Sequence, residues 1–340
     1  MGKPSAVFPL FNTTLQELAD RYFTGSTAFE EHDAFFAPFT ILWQNMLVRR
    51  HYQEAEELWR LALDITYDWE ARNTSRLVHK GTPYYWLGMT QILADKIDDG
   101  FLSMHKALKE DERSHGTSSP SAPAYFFVTL DFRQPNQAFG QKVSEIAAFL
   151  ERKIEAYRDT RGGSLTLDQF KTRLLECAAL REKVFNFVYL LFKLEKVSRT
   201  DKRLLENELS SLLNLGLLFN LCVIIEKTIE HKKTSPGELR YYSDKIKHLI
   251  SRSSLTLTNS EVGTISGEFD SFGSTMMDIL SGTYHITSTK SPIEVDLMIS
   301  LGIRNHGAHE LENQPIICQN WDDISQRVLN VLFFTVEKLY

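Results

Sequence analysis

Arg304-Asn305-His306-Gly307-Ala308-His309 is the run most able to do chemistry. It supplies a permanently charged fork of donors, an amide, and imidazoles that change charge near neutral pH. The run follows a stretch opened by Ser291-Pro292-Ile293-Glu294, a helix-start signal, and carrying Val295, Leu297, Met298, Leu301 and Ile303 on its way to Arg304. Gly307 suits a left-handed helix stop, which would leave Arg304 and Asn305 in the last turn and His309 just beyond. A bend there brings His309 back beside Arg304, whereas on an unbroken helix the two would occupy partly different faces. A structural reading also exists, since Arg304 and His306 near a helix C-terminus are favoured by the helix dipole alone. His306 and His309, with only Glu310 and Glu312 nearby and no cysteine, make a poor metal set, so no metal or cofactor is expected.

The six residues match the R-N-x-x-x-H signature of the HEPN superfamily, including the alanine before the final histidine. The surroundings are similar too: a long apolar helix carrying Glu226, an apolar helix leading into the motif, and an amphipathic terminal helix. The resemblance covers about residues 165–340. It implies metal-independent RNA cleavage, in which the ribose 2′-OH attacks its own phosphate and leaves a 2′,3′-cyclic phosphate and a 5′-hydroxyl. By that analogy His309 moves a proton, Arg304 holds the phosphate and stabilises developing charge, and Asn305 orients the pair. His306 is then a neighbour of the phosphate groove or an exposed cap residue, and Glu226 hydrogen-bonds into the motif. The family also implies a homodimer in which two motifs face one groove, and toxin or antiviral effectors are frequent in it.

The elements that must hold this run are helices. Thr166-Leu167-Asp168-Gln169 is a capping box opening a helix toward Val197. A second apolar helix is expected from about Asp201 to Lys232, a third from Ser235-Pro236-Gly237-Glu238, and a last from Trp321 to Leu339. Residues 252–290, rich in Ser, Thr and Gly, are expected to be irregular apart from a short helix near Met276–Leu280. The sum over residues 164–340 is a four- to five-helix bundle.

Residues 1–160 read as paired amphipathic helices. Ala62-Leu63 and Ala107-Leu108 repeat with a period of 45, and Leu87-Gly88, Gly100 and Lys106-Ala107-Leu108 resemble tetratricopeptide repeats. Such a stack implies a protein or peptide partner on a concave surface. Ala55, Gly88, Gly100 and Ala107 fall where paired helices approach closely. Arg72-Asn73 and His79 form a longer-spaced near-copy of the motif, read as a surface coincidence. Tyr125–Phe132 is ambiguous, and Arg161-Gly162-Gly163 is the expected domain boundary.

The fold class is therefore all-α, with a helical-repeat domain followed by a HEPN-like bundle. Composition agrees: of 340 residues, 43% are hydrophobic and 24% charged, a globular balance. A net charge of −6 supplies no global field for nucleic acid, so an RNA substrate needs local basic groups such as Lys196, Arg199, Lys202, Arg203, Lys232, Lys233, Lys245 and Lys247. Three scattered cysteines argue against disulfides. Neither a signal-peptide core nor a clean apolar span of about 20 residues is seen, so the expected location is the cytoplasm with no membrane association. Phosphate-cradling glycine loops, zincin and α/β-hydrolase motifs are missing. The competing reading is a non-enzymatic scaffold or adaptor with a dimerising or nucleotide-binding bundle.

Overall fold

In a computed structural model, the residues described are 8–25, 29–115, 122–131, 136–205, 207–233, 239–267, 272–309 and 314–340. Among them the secondary structure is helical throughout, with no strand. The chain divides into two units, residues 1–144 and 145–340.

The first unit holds α1 (Phe8–Gly25), α2 (Phe29–Val48), α3 (Tyr52–Arg72), α4 (Gly81–Leu93), α5 (Ile97–His115), α6 (Pro123–Val128) and the start of α7 (Gln137–Arg161). Its centre is aromatic: Phe23, Phe35, Phe36, Phe39, Trp43, Trp59 and Trp69 are all buried, with Phe23 edge-on to Trp69 and Trp43 against Trp86. Helices α4 and α5 touch backbone to backbone. A Cβ at Gly88 would lie 2.9 Å from the Gly100 carbonyl oxygen, and one at Gly100 would lie 3.0 Å from that of Gly88. Both residues must lack a side chain for the pair to close. The ambiguous Tyr125 segment is helical within α6. His79 departs from the surface reading: it is 6% exposed, and its backbone N–H donates to His32 Nδ1 at 3.0 Å.

The division between units falls inside α7, ahead of Arg161-Gly162-Gly163. The last turns of α7 go with the second unit because Tyr157 packs on Phe333 and donates to Glu337, while Arg161 pairs with Asp296.

The second unit continues through α8 (Leu167–Phe170), a π-helical turn at Lys171–Leu175, a 3-10 turn at Ala178–Leu180 and α9 (Arg181–Arg199). The expected long helix from Thr166 does open with its capping box, Thr166 Oγ1 accepting from the Gln169 N–H. It then breaks at the π-helical turn, where the hydrogen-bonding shifts register and buries Leu174 and Leu175. Next come α10 (Lys202–Leu205), α11 (Glu208–His231), α12 (Tyr242–Ser251), α13 (Asn259–Gly267), α14 (Phe272–Ser281), α15 (Pro292–His309), α16 (Pro315–Gln319) and α17 (Trp321–Leu339). The expected start at Ser235 lies outside the described residues, and α12 begins instead at a cap provided by Tyr241 and Asp244. Two helices, α13 and α14, replace the single short one expected in 252–290.

Helices α9, α11, α15 and α17 pack around one core. Under it, Asp296 is fully buried and receives hydrogen bonds from Arg161, Arg327 and Asn330, which tie α7, α15 and α17 together. Among the described residues α11 alone is long and apolar enough to cross a membrane. Its Ser211 bonds the Gln314 backbone and its Glu226 two cations, features of a core helix and compatible with a soluble protein.

Candidate functional site

Helix α15 starts as its sequence requires. Pro292 sits at the first position, and Ser291 donates from both backbone N–H and hydroxyl to Glu294 Oε2, at 2.8 and 2.7 Å. The other oxygen of Glu294 takes the N–H groups of Thr256 and Leu257. Burial works against ionisation of Glu294, but these donors outweigh it and hold the carboxyl below its usual range.

The far end of α15 differs from expectation. Gly307 does not stop the helix; among the described residues the left-handed glycines are Gly162 and Gly282. Gly307 is needed for another reason: a Cβ there would stand 2.7 Å from Phe219 Cδ2 of α11. Without it, α15 slides past the Phe219 ring and stays helical through His309. Five residues then separate Arg304 from His309 on one continuous helix, an advance of about 140° around its axis beyond a full turn. The bend that would fold His309 back onto Arg304 is absent. The His309 side chain itself lies outside the described residues, as does that of Ala308.

Arg304 is the best-defined part of the site. Its Nε and Nη2 both lie 3.1 Å from Glu226 Oε2, and its guanidinium rests 4.8 Å from the Phe219 ring centroid. Its side chain keeps 23% exposure. Lys245 of α12, whose side chain is only 2% exposed, bonds Glu226 Oε1 and lies 2.7 Å from Glu230 Oε1. Lys227 completes the group at 2.8 Å from Glu230. Burial opposes ionisation of Glu230, yet Lys227 and Lys245 overcome it and pull its carboxyl down. Three cations (Arg304, Lys245, Lys227) face two carboxylates (Glu226, Glu230), so the cluster carries one net positive charge on a chain of net −6.

A turn further in, Cys222 Sγ lies 3.6 Å from Ser300 Oγ, which also meets the Tyr242 hydroxyl. Burial pushes the Cys222 thiol up to about 12, so it stays protonated and has no thiolate chemistry to offer.

The remaining motif residues point elsewhere. Asn305 Nδ2 donates to the Ser266 carbonyl at 3.2 Å, fastening α15 to α13 rather than orienting Arg304. His306 is 4% exposed and stacks on Phe272 of α14, centroids 4.2 Å apart and planes 16° from parallel. It is not an exposed cap residue, because two residues of helix rotation, about 200°, carry it away from Arg304 and into the core. The structure thus joins Arg304 and Glu226, and separates both from Asn305 and His306. Among the described residues no group of three or more His, Cys, Asp and Glu could hold a metal ion.

Sequence reasoning missed Phe219, Glu230 and the true place of Lys245, which it counted among the local basic groups open to an RNA. One signal was present. Tyr242, Lys245, Ile246 and Leu249 share a helical face, and a lysine inside an apolar stripe needs a buried carboxylate. Of the other basic groups, Arg199 pairs with Glu195 and Arg203 with Asp201, and Lys232 lies over the Tyr340 ring.

No family model, curated protein or solved structure matches this chain.

Proposed function

We propose that the Arg304 cluster binds a phosphodiester of RNA and that the chain is a metal-independent endoribonuclease of the HEPN type. The observation that carries this reading is the state of Arg304: held on one edge by Glu226, part-exposed, and belonging to a cluster with a surplus positive charge. Among the described residues no contact engages its Nη1, leaving donors for a phosphate oxygen. In the reaction, the 2′-oxygen bonds to phosphorus as the bond to the 5′-oxygen breaks. Arg304 stabilises charge on the phosphoryl oxygens, and because α15 turns His309 of the same chain about 140° away from Arg304, the proton is handled by His309 of the facing copy. A second copy of the chain supplies the facing motif, and the N-terminal unit binds a protein or peptide that controls cleavage, as in a cytoplasmic toxin or antiviral effector.

The test is cleavage of unstructured RNA in EDTA. Arg304→Ala is expected to slow cleavage by about 10²–10³-fold, the usual effect of removing one charge-stabilising donor. His309→Ala should do the same. Glu226 keeps Lys245 in the first variant, so folding survives and can be checked by circular dichroism. Undiminished cutting by both folded variants removes the motif from the mechanism.

A second reading rests on Asn305 and His306, whose contacts with Ser266 and Phe272 make the motif an internal clamp of a non-enzymatic scaffold. It predicts no cleavage of any RNA at high protein concentration.

A further inference from the structure

His79, Asp111 and Ser114 of the first unit form a relay that the nuclease reading does not use. Asp111 and Ser114 stand one turn apart near the end of α5, and His79 lies just ahead of α4. Ser114 Oγ is 2.8 Å from His79 Nδ1, and Asp111 Oδ1 is 3.4 Å from His79 Nε2. His79 and Asp111 are buried, while Ser114 reaches solvent in part. A carboxylate at Nε2 favours the tautomer with its proton there, which leaves the Nδ1 lone pair facing the serine hydroxyl. This sets a nucleophile within hydrogen-bonding distance of a base, with a carboxylate 3.4 Å from the far ring nitrogen as the orienting acid.

Two further features separate the relay from a simple loop clasp. First, the segment is already anchored without it: Val78 N–H bonds Glu70, Lys80 N–H bonds Glu110, and Arg113 bonds the Val78 carbonyl. Second, a Cβ at Gly81 would fall 2.5 Å from His79 Nε2 and 2.6 Å from Asp111 Oδ1, so the chain closes over the contact only with glycine there.

We propose that Ser114 is an activated nucleophile that accepts small acyl groups from esters, with His79 as general base and Asp111 as the positioning residue. Ser114 Oγ bonds to the acyl carbon while its proton passes to His79 Nδ1; the ester C–O bond breaks and the departing alcohol takes that proton. Water then hydrolyses the acyl-serine by the same route in reverse roles. A cavity of about 60 Å³ lined by Gly81, Thr82, Tyr85, Trp86 and Asp111 sits at the acid end of the relay and does not touch Ser114. The acyl donor therefore approaches Ser114 from solvent, and only acyl groups small enough to need no pocket are assigned to it.

The experiment incubates the full chain with p-nitrophenyl acetate and maps acetylated residues by mass spectrometry. Ser114 should gain acetyl about 10²-fold faster than the other serines, the usual reach of a positioned base. Asp111→Asn, which spoils the tautomer, should remove most of that advantage, and Ser114→Ala should abolish the fast adduct. Ser114 reacting no faster than other serines, or unchanged by Asp111→Asn in folded protein, overturns the proposal. If Asp111→Asn unfolds, the wild-type pH profile decides. A rate that levels off above one ionisation near neutral pH supports the relay, and one that only tracks hydroxide contradicts it.

Discussion

Phe219 touches two residues of α15 at once, its ring lying under the Arg304 guanidinium and against the bare backbone of Gly307. Gly307→Ala would gain about 1 kcal/mol of helix propensity. It would also drive a methyl into the ring, at about 1–3 kcal/mol for overpacking. Crowding wins, so we expect a net loss of about 1 kcal/mol in urea unfolding and weaker RNA binding as the ring shifts beneath Arg304. A more stable variant with intact RNA affinity would show that Phe219 does not position Arg304. Glu226→Gln keeps the shape of the acid but takes the cluster from one net positive charge to two. We expect a loss of about 2 kcal/mol, typical for a hydrogen bond to a charged group, together with tighter and more salt-sensitive RNA binding. Filter binding at two salt concentrations reads this, and unchanged affinity would mean the cluster never meets the polyanion. At this scale the sequence was informative about Arg304 and Glu226, whose types announce a pair. It misled about Gly307, because a glycine required by a neighbour's bulk looks the same as one required by a left-handed turn.

Among the elements, the start of α15 was readable from its cap, and α17 from its apolar face, down to the Trp321–Leu339 span. Helix α13 was not, and α14 was readable only in its later part, near Met276–Leu280. Their Ser, Thr and Gly content lowers intrinsic propensity, yet Val262 and Ile265, and then Phe272, Met276 and Ile279, fall at helical spacing and are buried. Burial overrode propensity. The region matters to the site because α13 takes Asn305 and α14 takes His306. The close crossing of α4 and α5 makes a sharp prediction. Gly88→Ala would put its methyl 2.9 Å from the Gly100 carbonyl, a backbone atom that cannot rotate away. Its cost should reach about 3 kcal/mol, the upper end for overpacking, and lower the thermal midpoint of the first unit. A midpoint equal to wild type would contradict the backbone contact.

For the whole molecule, His32 and four glutamates lose stabilisation together on acidification, and they outnumber the two carboxyls that burial raises, Asp64 and Asp296, which act the other way. Burial, helped by the nearby Lys80 and Arg113 charges, lowers the His32 value below 6.5 although Glu31 opposes it. Folded His32 resists a proton that the unfolded chain accepts, so its contribution is complete above pH 6.5 and is lost as pH falls toward the folded value. Glu56, Glu230, Glu294 and Glu337 are held below 4.5 by their donors, despite burial, so their contributions are complete above pH 4.5 and are lost as pH falls through the folded values. Urea midpoints at pH 8, 6 and 4 should fall in that order; a midpoint that rises on acidification would contradict these assignments. The all-helical class was legible from periodicity and composition. The division inside α7 was not, because Tyr157 and Arg161 declare their allegiance only through partners more than a hundred residues away. The account as a whole depends on RNA being cut through its own 2′-oxygen at the Arg304 cluster. An oligonucleotide with a single ribose among deoxyribose units, incubated with the protein in EDTA, tests that most directly. Cleavage only after the ribose, leaving a 2′,3′-cyclic phosphate and lost in Arg304→Ala, is the predicted result. An uncut oligonucleotide, or cutting that ignores the position of the ribose, contradicts it.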